Sequence, residues 1–173
     1  MEPNRLVLLD GAESNPESWF CARSFALAAD RGVRGVVAHS DPQPRTRATP
    51  QGPELVSPSH VGHVYAVQGF AYLGRTRPRR LTVLPDATVL SDRAASKIRN
   101  DEAGHRAAEQ RLVGFGARPR QPEEDGGQWL DETLTAVGAT MLAHGGNHRY
   151  VRATGPHCTR VTVAPTSYPS PRR

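Results

Sequence analysis

The fold class is indicated first by residues 5–39, RLVLLDGAESNPESWFCARSFALAADRGVRGVVAH. Arg5 to Asp10 is a short apolar run followed by turn residues, which is the pattern of a buried strand. Pro16, between an asparagine and a glutamate, predicts the start of a helix, and Gly32 predicts its end. Val33 to His39 reads as a second strand. Strand, helix and strand in this order predict a βαβ unit with parallel strands.

The helix of this unit carries many apolar residues, which predict its buried side. We expect a buried stripe with further apolar residues beside it, and Cys21 on the buried face. The stripe consists of Trp19, Ala22, Ala26 and Ala29, flanked by Phe20 and Leu27.

The middle of the chain predicts a long loop followed by antiparallel strands. Residues 40–59 are rich in proline, arginine, threonine and serine, so we expect a mobile loop there. His63 to Leu73 has strand composition, with a bulge or kink at Gly69. Two short apolar runs around Pro85-Asp86-Ala87 predict a β-hairpin within residues 81–90.

The second half predicts two longer helices. Ser91 or Asp92 caps a helix that runs to about Phe115, with a possible break at Gly104. A second helix is expected from Trp129 to His144. Its buried stripe would be Trp129, Leu130, Leu134, Val137 and Met141. Short strands are expected at residues 149–153 and 159–164.

Together these elements predict an α/β or α+β fold in one domain. We expect a mixed sheet with an N-terminal βαβ unit, an antiparallel middle and two longer helices packed on it. The domain would span residues 1–164, with the mobile loop at about 40–59 and a flexible tail at 165–173.

Composition gives a basic protein with a net charge of +5 and a pI of about 9.9. Lys97 is the one lysine among 22 basic residues, and such a preference for arginine is typical of a high-GC bacterium. Genome composition does not explain the excess of basic over acidic side chains. That excess favours polyanionic partners such as nucleic acid.

Cysteine usage and hydropathy predict a cytoplasmic protein without a membrane span. Cys21 and Cys158 are too few for a disulfide framework, so both are expected to be reduced. No apolar run reaches the roughly 18 residues of a membrane-spanning helix, and the N-terminus lacks a signal-peptide core. No cofactor is indicated.

The strongest functional signal is a set of arginines beside aromatic strands. Arginine binds phosphates with two parallel hydrogen bonds, and aromatic rings stack on unpaired bases. The predicted nucleic-acid-binding residues lie in one turn and one late strand. They are Arg75, Arg77, Arg79, Arg80, Arg149 and Arg152.

A second signal is a group of possible metal ligands near the C-terminus. His144, His148, His157 and Cys158 are close in sequence, and zinc uses such side chains. Their spacing matches no recognised zinc motif, so the alternative is ordinary loop and strand histidines. His60 and His63 form a further His-x-x-His pair.

Three functional hypotheses follow. The first is a regulatory or accessory protein that binds DNA or RNA through arginine-rich loops. The second is a small hydrolase that uses the histidine-rich C-terminal segment. The third is a protein–protein adaptor without catalytic activity, with Trp19 and Trp129 among its contacts.

Overall fold

A computed structural model describes residues 16–154 and 164–169 of the chain. These residues form five helices: α1 (Pro16–Asp30), α2 (His63–Val67), α3 (Asp92–Arg99), α4 (His105–Val113) and α5 (Gly126–Ala136). They also form eight strands: β1 (Gly35–Ser40), β2 (Arg45–Thr49), β3 (Gly52–Ser57), β4 (Ala71–Arg75), β5 (Arg79–Val83), β6 (Val89–Leu90), β7 (Thr140–His144) and β8 (His148–Ala153). Every strand pair within the described residues is antiparallel, so the fold is α+β.

The predicted βαβ unit is described in part. Its helix is α1 and its second strand is β1, close to the predicted bounds. Its first strand, Arg5 to Asp10, lies outside the described residues, as does most of the strand predicted at 159–164. The partner of β1 is β8, antiparallel to it.

The chain divides into two compact units. Unit 1 comprises residues 1–43, 59–77 and 145–173, and unit 2 comprises residues 44–58 and 78–144. The single domain of residues 1–164 stays a prediction, as does the flexibility of the tail.

Unit 1 contains a three-stranded sheet in the order β1-β8-β4. One face of α1 packs in the same core as this sheet, through Cys21, Phe25 and Ala28 at i, i+4 and i+7. Phe25 meets Phe70 edge to face, with ring centroids 5.5 Å apart.

The predicted buried stripe of α1 is wrong, although the burial of Cys21 is confirmed. The Trp19 side chain is 66% exposed, and Phe20 and Leu27 are also exposed. The buried face of α1 is formed by Cys21, Phe25 and Ala28, which lie on a different side of the helix from Trp19.

Unit 2 contains the sheet β6-β5-β7, the hairpin β2-β3 and the helices α3 to α5. Its core includes Ile98 of α3, Leu112 of α4, and Trp129 and Leu130 of α5, all fully buried. The predicted hairpin at 81–90 is confirmed as β5 and β6. The predicted break at Gly104 is also confirmed, because this residue precedes α4 with φ of +87°.

The helix predicted from Trp129 to His144 is correct only in its first half. Trp129, Leu130 and Val137 are buried and Leu134 packs against them, as predicted. However, α5 ends at Ala136, and residues 140–144 form strand β7. Met141 is 55% exposed on that strand. The four-residue spacing from Val137 to Met141 fits a helix by coincidence, because Gly138 with φ of +73° ends it.

Two further predicted elements are wrong. Residues 40–59 contain the hairpin β2-β3 in place of a structureless loop, so only the mobility of this segment stays a prediction. The strand predicted from His63 to Leu73 is divided into helix α2 and strand β4. Gly69, with φ of +73°, lies between them.

Among the described residues, none of the helices has the length and apolar content to cross a bilayer.

Candidate functional site

The predicted arginines are distributed over both units. Arg75 ends β4 and Arg77 follows it, while Arg149 and Arg152 lie on β8, all in unit 1. Arg79 and Arg80 begin β5 in unit 2, so the predicted arginine turn is reduced to residues 76–78. Arg75, Arg77, Arg79 and Arg80 are exposed, and Arg149 and Arg152 are half-buried.

Charge is divided unequally between the two units. Unit 1 has eleven basic and six acidic residues, a net charge of +5, whereas unit 2 has eleven of each. The segments 59–77 and 145–173 contain seven arginines and no acidic residue. Unit 1 therefore carries the whole net charge of the chain.

The described arginines of the two units also differ in their partners. In unit 2, Arg47 pairs with Glu54, and Arg93 with Glu102. Within the described residues, no ion pair includes Arg75, Arg77, Arg149 or Arg152. Carboxylates pair with five of the ten arginines of unit 2, and with none of these four guanidinium groups within the described residues.

One row of the unit 1 sheet places polar side chains side by side. Ser40 of β1 and Arg75 of β4 are both register partners of His148 in the central strand β8. Directly opposed residues project to the same face, with Cβ atoms about 5 Å apart. The register shifts by one residue between Tyr72 and Arg75, and this irregularity brings Arg75 opposite His148.

The turn before β8 lies close to the residue that follows β4. Gly146 has φ of +90°, and a Cβ atom there would overlap the carbonyl oxygen of Thr76. The backbone N–H of Thr76 donates to the carbonyl of Asn147 at 2.8 Å, and the Thr76 hydroxyl accepts from the Asn147 N–H at 2.9 Å. Glycine at 146 is therefore required for this close approach.

His148 is buried, with 3% of its surface exposed, and is held by Tyr72. The Tyr72 hydroxyl oxygen lies 2.7 Å from Nδ1 of His148. Burial lowers the pKa of His148 below 6.5, and the nearby Arg75 and His60 lower it further. The neutral ring is thus favoured, and its Nδ1 shares one hydrogen bond with the Tyr72 hydroxyl.

His60 lies at the same end of the sheet, after the hairpin β2-β3. Its backbone N–H donates to the carbonyl of Asp41 at 3.0 Å, which holds it next to the end of β1. Its Nδ1 accepts from the backbone N–H of Gly62 at 3.3 Å. Burial lowers its pKa, and the Asp41 carboxylate opposes that shift.

The next row of the sheet is an aromatic layer. Tyr72 and Tyr150 are register partners with ring centroids 5.2 Å apart. Tyr168 stacks on both rings at 6.3 and 6.4 Å, and its hydroxyl donates to the carbonyl of Phe70. A Cβ atom at Gly62 would lie 2.7 Å from the Tyr150 ring, so glycine allows the start of α2 to pack there.

A buried hydroxyl adjoins this layer without a partner. Ser40 is 1% exposed, and its Oγ has no hydrogen bond to any described residue. Burial raises the pKa of Tyr150, and the Ser40 hydroxyl opposes that rise in part, so the two hydroxyls are close. Tyr150 itself donates to the carbonyl of Val61. The Ser40 Oγ meets no strict hydrogen-bond geometry, yet it lies close enough to the Tyr150 hydroxyl to lower the pKa of that group, so Tyr150 is its nearest polar neighbour.

The four predicted metal ligands are divided between the two units and the residues outside the described part of the chain. His144 is buried on β7 in unit 2, whereas His148 is in unit 1 and bonded to Tyr72. His157 and Cys158 lie outside the described residues. The hydrolase hypothesis, which depends on these four residues, stays a prediction.

The adaptor hypothesis loses one of its two named contacts. Trp129 is fully buried, and its Nε1 donates to the carbonyl of Arg118 at 3.2 Å. Trp19 is exposed, and the guanidinium of Arg23 lies 5.7 Å from its ring centroid.

Unit 2 contains a separate cluster of possible metal ligands. Ligand atoms of Asp101, His105 and Glu109 lie within 4.8 Å of one another, beside a cavity of about 550 Å³. However, Nη1 of Arg120 lies 2.5 Å from Asp101 and 3.0 Å from Glu109. These bonds from Arg120 hold the pKa of Asp101 below its usual value. Arg120 therefore occupies the position of a cation, and we interpret the cluster as an ion-pair network.

Sequence analysis missed Ser40, Tyr72 and His60 as members of one site. The His60–His63 pair was noted, but His63 begins α2 and is exposed. The pairing of β1, β8 and β4 joins Ser40 and Tyr72, and the backbone bond to Asp41 adds His60, so no local spacing indicates the group. No protein-family profile matches this chain, and no curated protein or solved structure shows significant similarity to it.

Proposed function

We propose that this protein binds nucleic acid through the arginine-rich surface of unit 1. The observation that carries the proposal is the charge division, because unit 1 has a net charge of +5 while unit 2 is neutral. Phosphate neutralisation by arginine supplies most of the affinity of a sequence-independent binder. The segments 59–77 and 145–173, which carry Arg75, Arg77, Arg149 and Arg152, contain no acidic side chain that would repel the phosphate backbone.

The individual arginines support the same proposal. Arg75 and Arg77 are exposed and unpaired among the described residues, so no ion pair has to break before they contact phosphate. Arg149 and Arg152 lie on the central strand of the same sheet, on its two opposite faces, and the Arg152 guanidinium lies 6.0 Å from the Phe25 ring centroid. Tyr168, which is 46% exposed, offers a ring for stacking on an unpaired base.

The test is the salt dependence of binding. Affinity for a labelled duplex and for a single-stranded RNA is measured by fluorescence anisotropy from low salt to above about 0.15 M, since low salt exaggerates non-specific attraction. Arg75→Ala/Arg77→Ala should reduce the slope of log K against log salt by about two for the duplex. It should weaken binding to all sequences alike, because phosphate contacts carry no sequence information.

A matched control is Arg93→Ala/Arg99→Ala, which removes the same charge from exposed, ion-paired positions of α3 in unit 2. Its slope should stay that of wild type. Arg79→Ala/Arg80→Ala shows whether the start of β5 contributes, as the sequence predicts. Absence of binding near physiological salt, or equal losses in the first two variants, would contradict the proposal.

A further inference from the structure

The end of the unit 1 sheet differs from an ordinary basic surface, because an arginine lies beside polar side chains of the neighbouring strands. Ser40 and Arg75 flank His148 in a single row across the strands β1, β8 and β4. The Arg75 guanidinium extends along the turn before β8, where a Cβ atom at Gly145 would lie 3.1 Å from its Nη1. His60 is held at the same end through its bond to Asp41.

The hydrogen bonds of the two histidines leave the same ring atom available on each. Nδ1 of His60 accepts from the Gly62 N–H, and Nδ1 of His148 faces the Tyr72 hydroxyl. In the tautomer in which that hydroxyl donates to Nδ1, the Nε2 atom of His148 carries the proton. A neutral imidazole whose Nδ1 accepts carries its proton on Nε2. His60, and His148 in this tautomer, therefore donate through Nε2.

We propose that the row of Ser40, His148 and Arg75, together with His60, binds an oxyanion of the phosphate class. All four side chains can donate hydrogen bonds, and Arg75 adds a full positive charge in a bidentate fork. The Ser40 hydroxyl, buried beside that of Tyr150, is the weakest of the four donors, and the charge of Arg75 supplies the main attraction.

The electrostatics of this end favour an anion over a cation. The charged or titratable groups around His148 are Arg75, His60, Tyr72 and Tyr150. Asp41 is the one carboxylate that acts on this cluster among the described residues, and it acts on His60. A metal ion would need carboxylates or freed imidazole acceptors, and both Nδ1 atoms are already engaged.

This site goes beyond general phosphate neutralisation by unit 1, because it would hold a single phosphate group whether or not a polynucleotide follows. Two sources present that chemistry, free phosphate and the terminal phosphate of a nucleic acid. Three probes distinguish them: inorganic phosphate, an oligonucleotide with a 5′-phosphate, and the same oligonucleotide without it.

The experiment follows the histidine rings of the full chain by long-range ¹H–¹⁵N NMR, with assignments from His60→Gln and His148→Gln. Inorganic phosphate should shift the His60 and His148 signals saturably, and equal chloride should not. Arg75→Gln should weaken phosphate binding about tenfold, the loss expected for one charge-assisted hydrogen bond of about 1.5 kcal/mol. Ser40→Ala should weaken it less.

The matched control is Arg106→Gln, which removes one charge from an exposed position of unit 2. It should leave phosphate affinity unchanged. Tighter binding of the phosphorylated oligonucleotide would assign the site to a nucleic-acid terminus, and equal binding of the two would assign it to free phosphate.

Two outcomes would overturn the proposal: no saturable shift of either ring with inorganic phosphate, or equal weakening by Arg75→Gln and Arg106→Gln. Far-UV circular dichroism shows that each variant is folded. Because the readout is phosphate alone, failure here is distinguishable from loss of the salt-dependent nucleic-acid binding.

Discussion

Truncation of Leu130 and of Met141 provides the sharpest test of how residues 126–144 fold. Leu130 is fully buried in the core of unit 2, between helices α3 to α5 and the strands that pack on them. Leu→Ala at such a site removes three carbon atoms and leaves a cavity, which costs about 2–5 kcal/mol. With a urea m-value of about 1–3 kcal/mol/M, the midpoint should fall by roughly 1 M or more.

Truncation of Met141 to alanine would reduce the free energy of unfolding by a similar amount if the helix continued to His144, because the Met141 side chain would then face the same core. The structure instead places it on strand β7 with 55% of its surface exposed, next to the Thr82 hydroxyl. Met141→Ala should therefore change stability by no more than about 0.5 kcal/mol.

The assay is urea unfolding in a Trp19→Phe background, followed by tryptophan fluorescence. The chain has two tryptophans, so the remaining signal comes from Trp129, which is buried in the same core. Equal destabilisation by Leu130→Ala and Met141→Ala would refute strand β7. No destabilisation by Leu130→Ala would refute the core of unit 2.

Two further predictions test the hairpin and the buried histidine. Trypsin should cleave slowly after Arg45 and Arg47, because both side chains are bound across paired strands. Arg45 donates to Ser57 at 2.9 Å, and Arg47 pairs with Glu54 at 2.7 Å. Rapid first cleavage at these two arginines would instead support a mobile loop. The lowered pKa of His148 means that the unfolded chain binds more protons below about pH 6.5, so stability should fall as pH decreases from there through the folded-state pKa. His148→Asn should lose part of this pH dependence in urea melts at pH 8 and pH 5, and an unchanged pH dependence would contradict the burial of that ring.

Local features of the fold were predictable because their causes lie within a few residues. Ser91 caps α3 by accepting from the Ala94 N–H at 3.1 Å, as its position before an acidic residue predicts. Gly104 breaks the helical stretch as expected. Predictions failed where two elements compete for the same composition, as in residues 63–73, where α2 and β4 share one apolar run. Tertiary packing decides such cases, and propensity alone does not.

The sequence by itself determined the basic charge of the chain and its mixture of helices and strands. Only the tertiary structure decided that Ser40, Arg75 and His148 lie in one row, and that the net charge belongs to unit 1. The physical reason is the range of the interactions. Caps and turns are fixed by neighbouring residues, whereas strand register joins residues far apart in the chain and leaves no spacing to read.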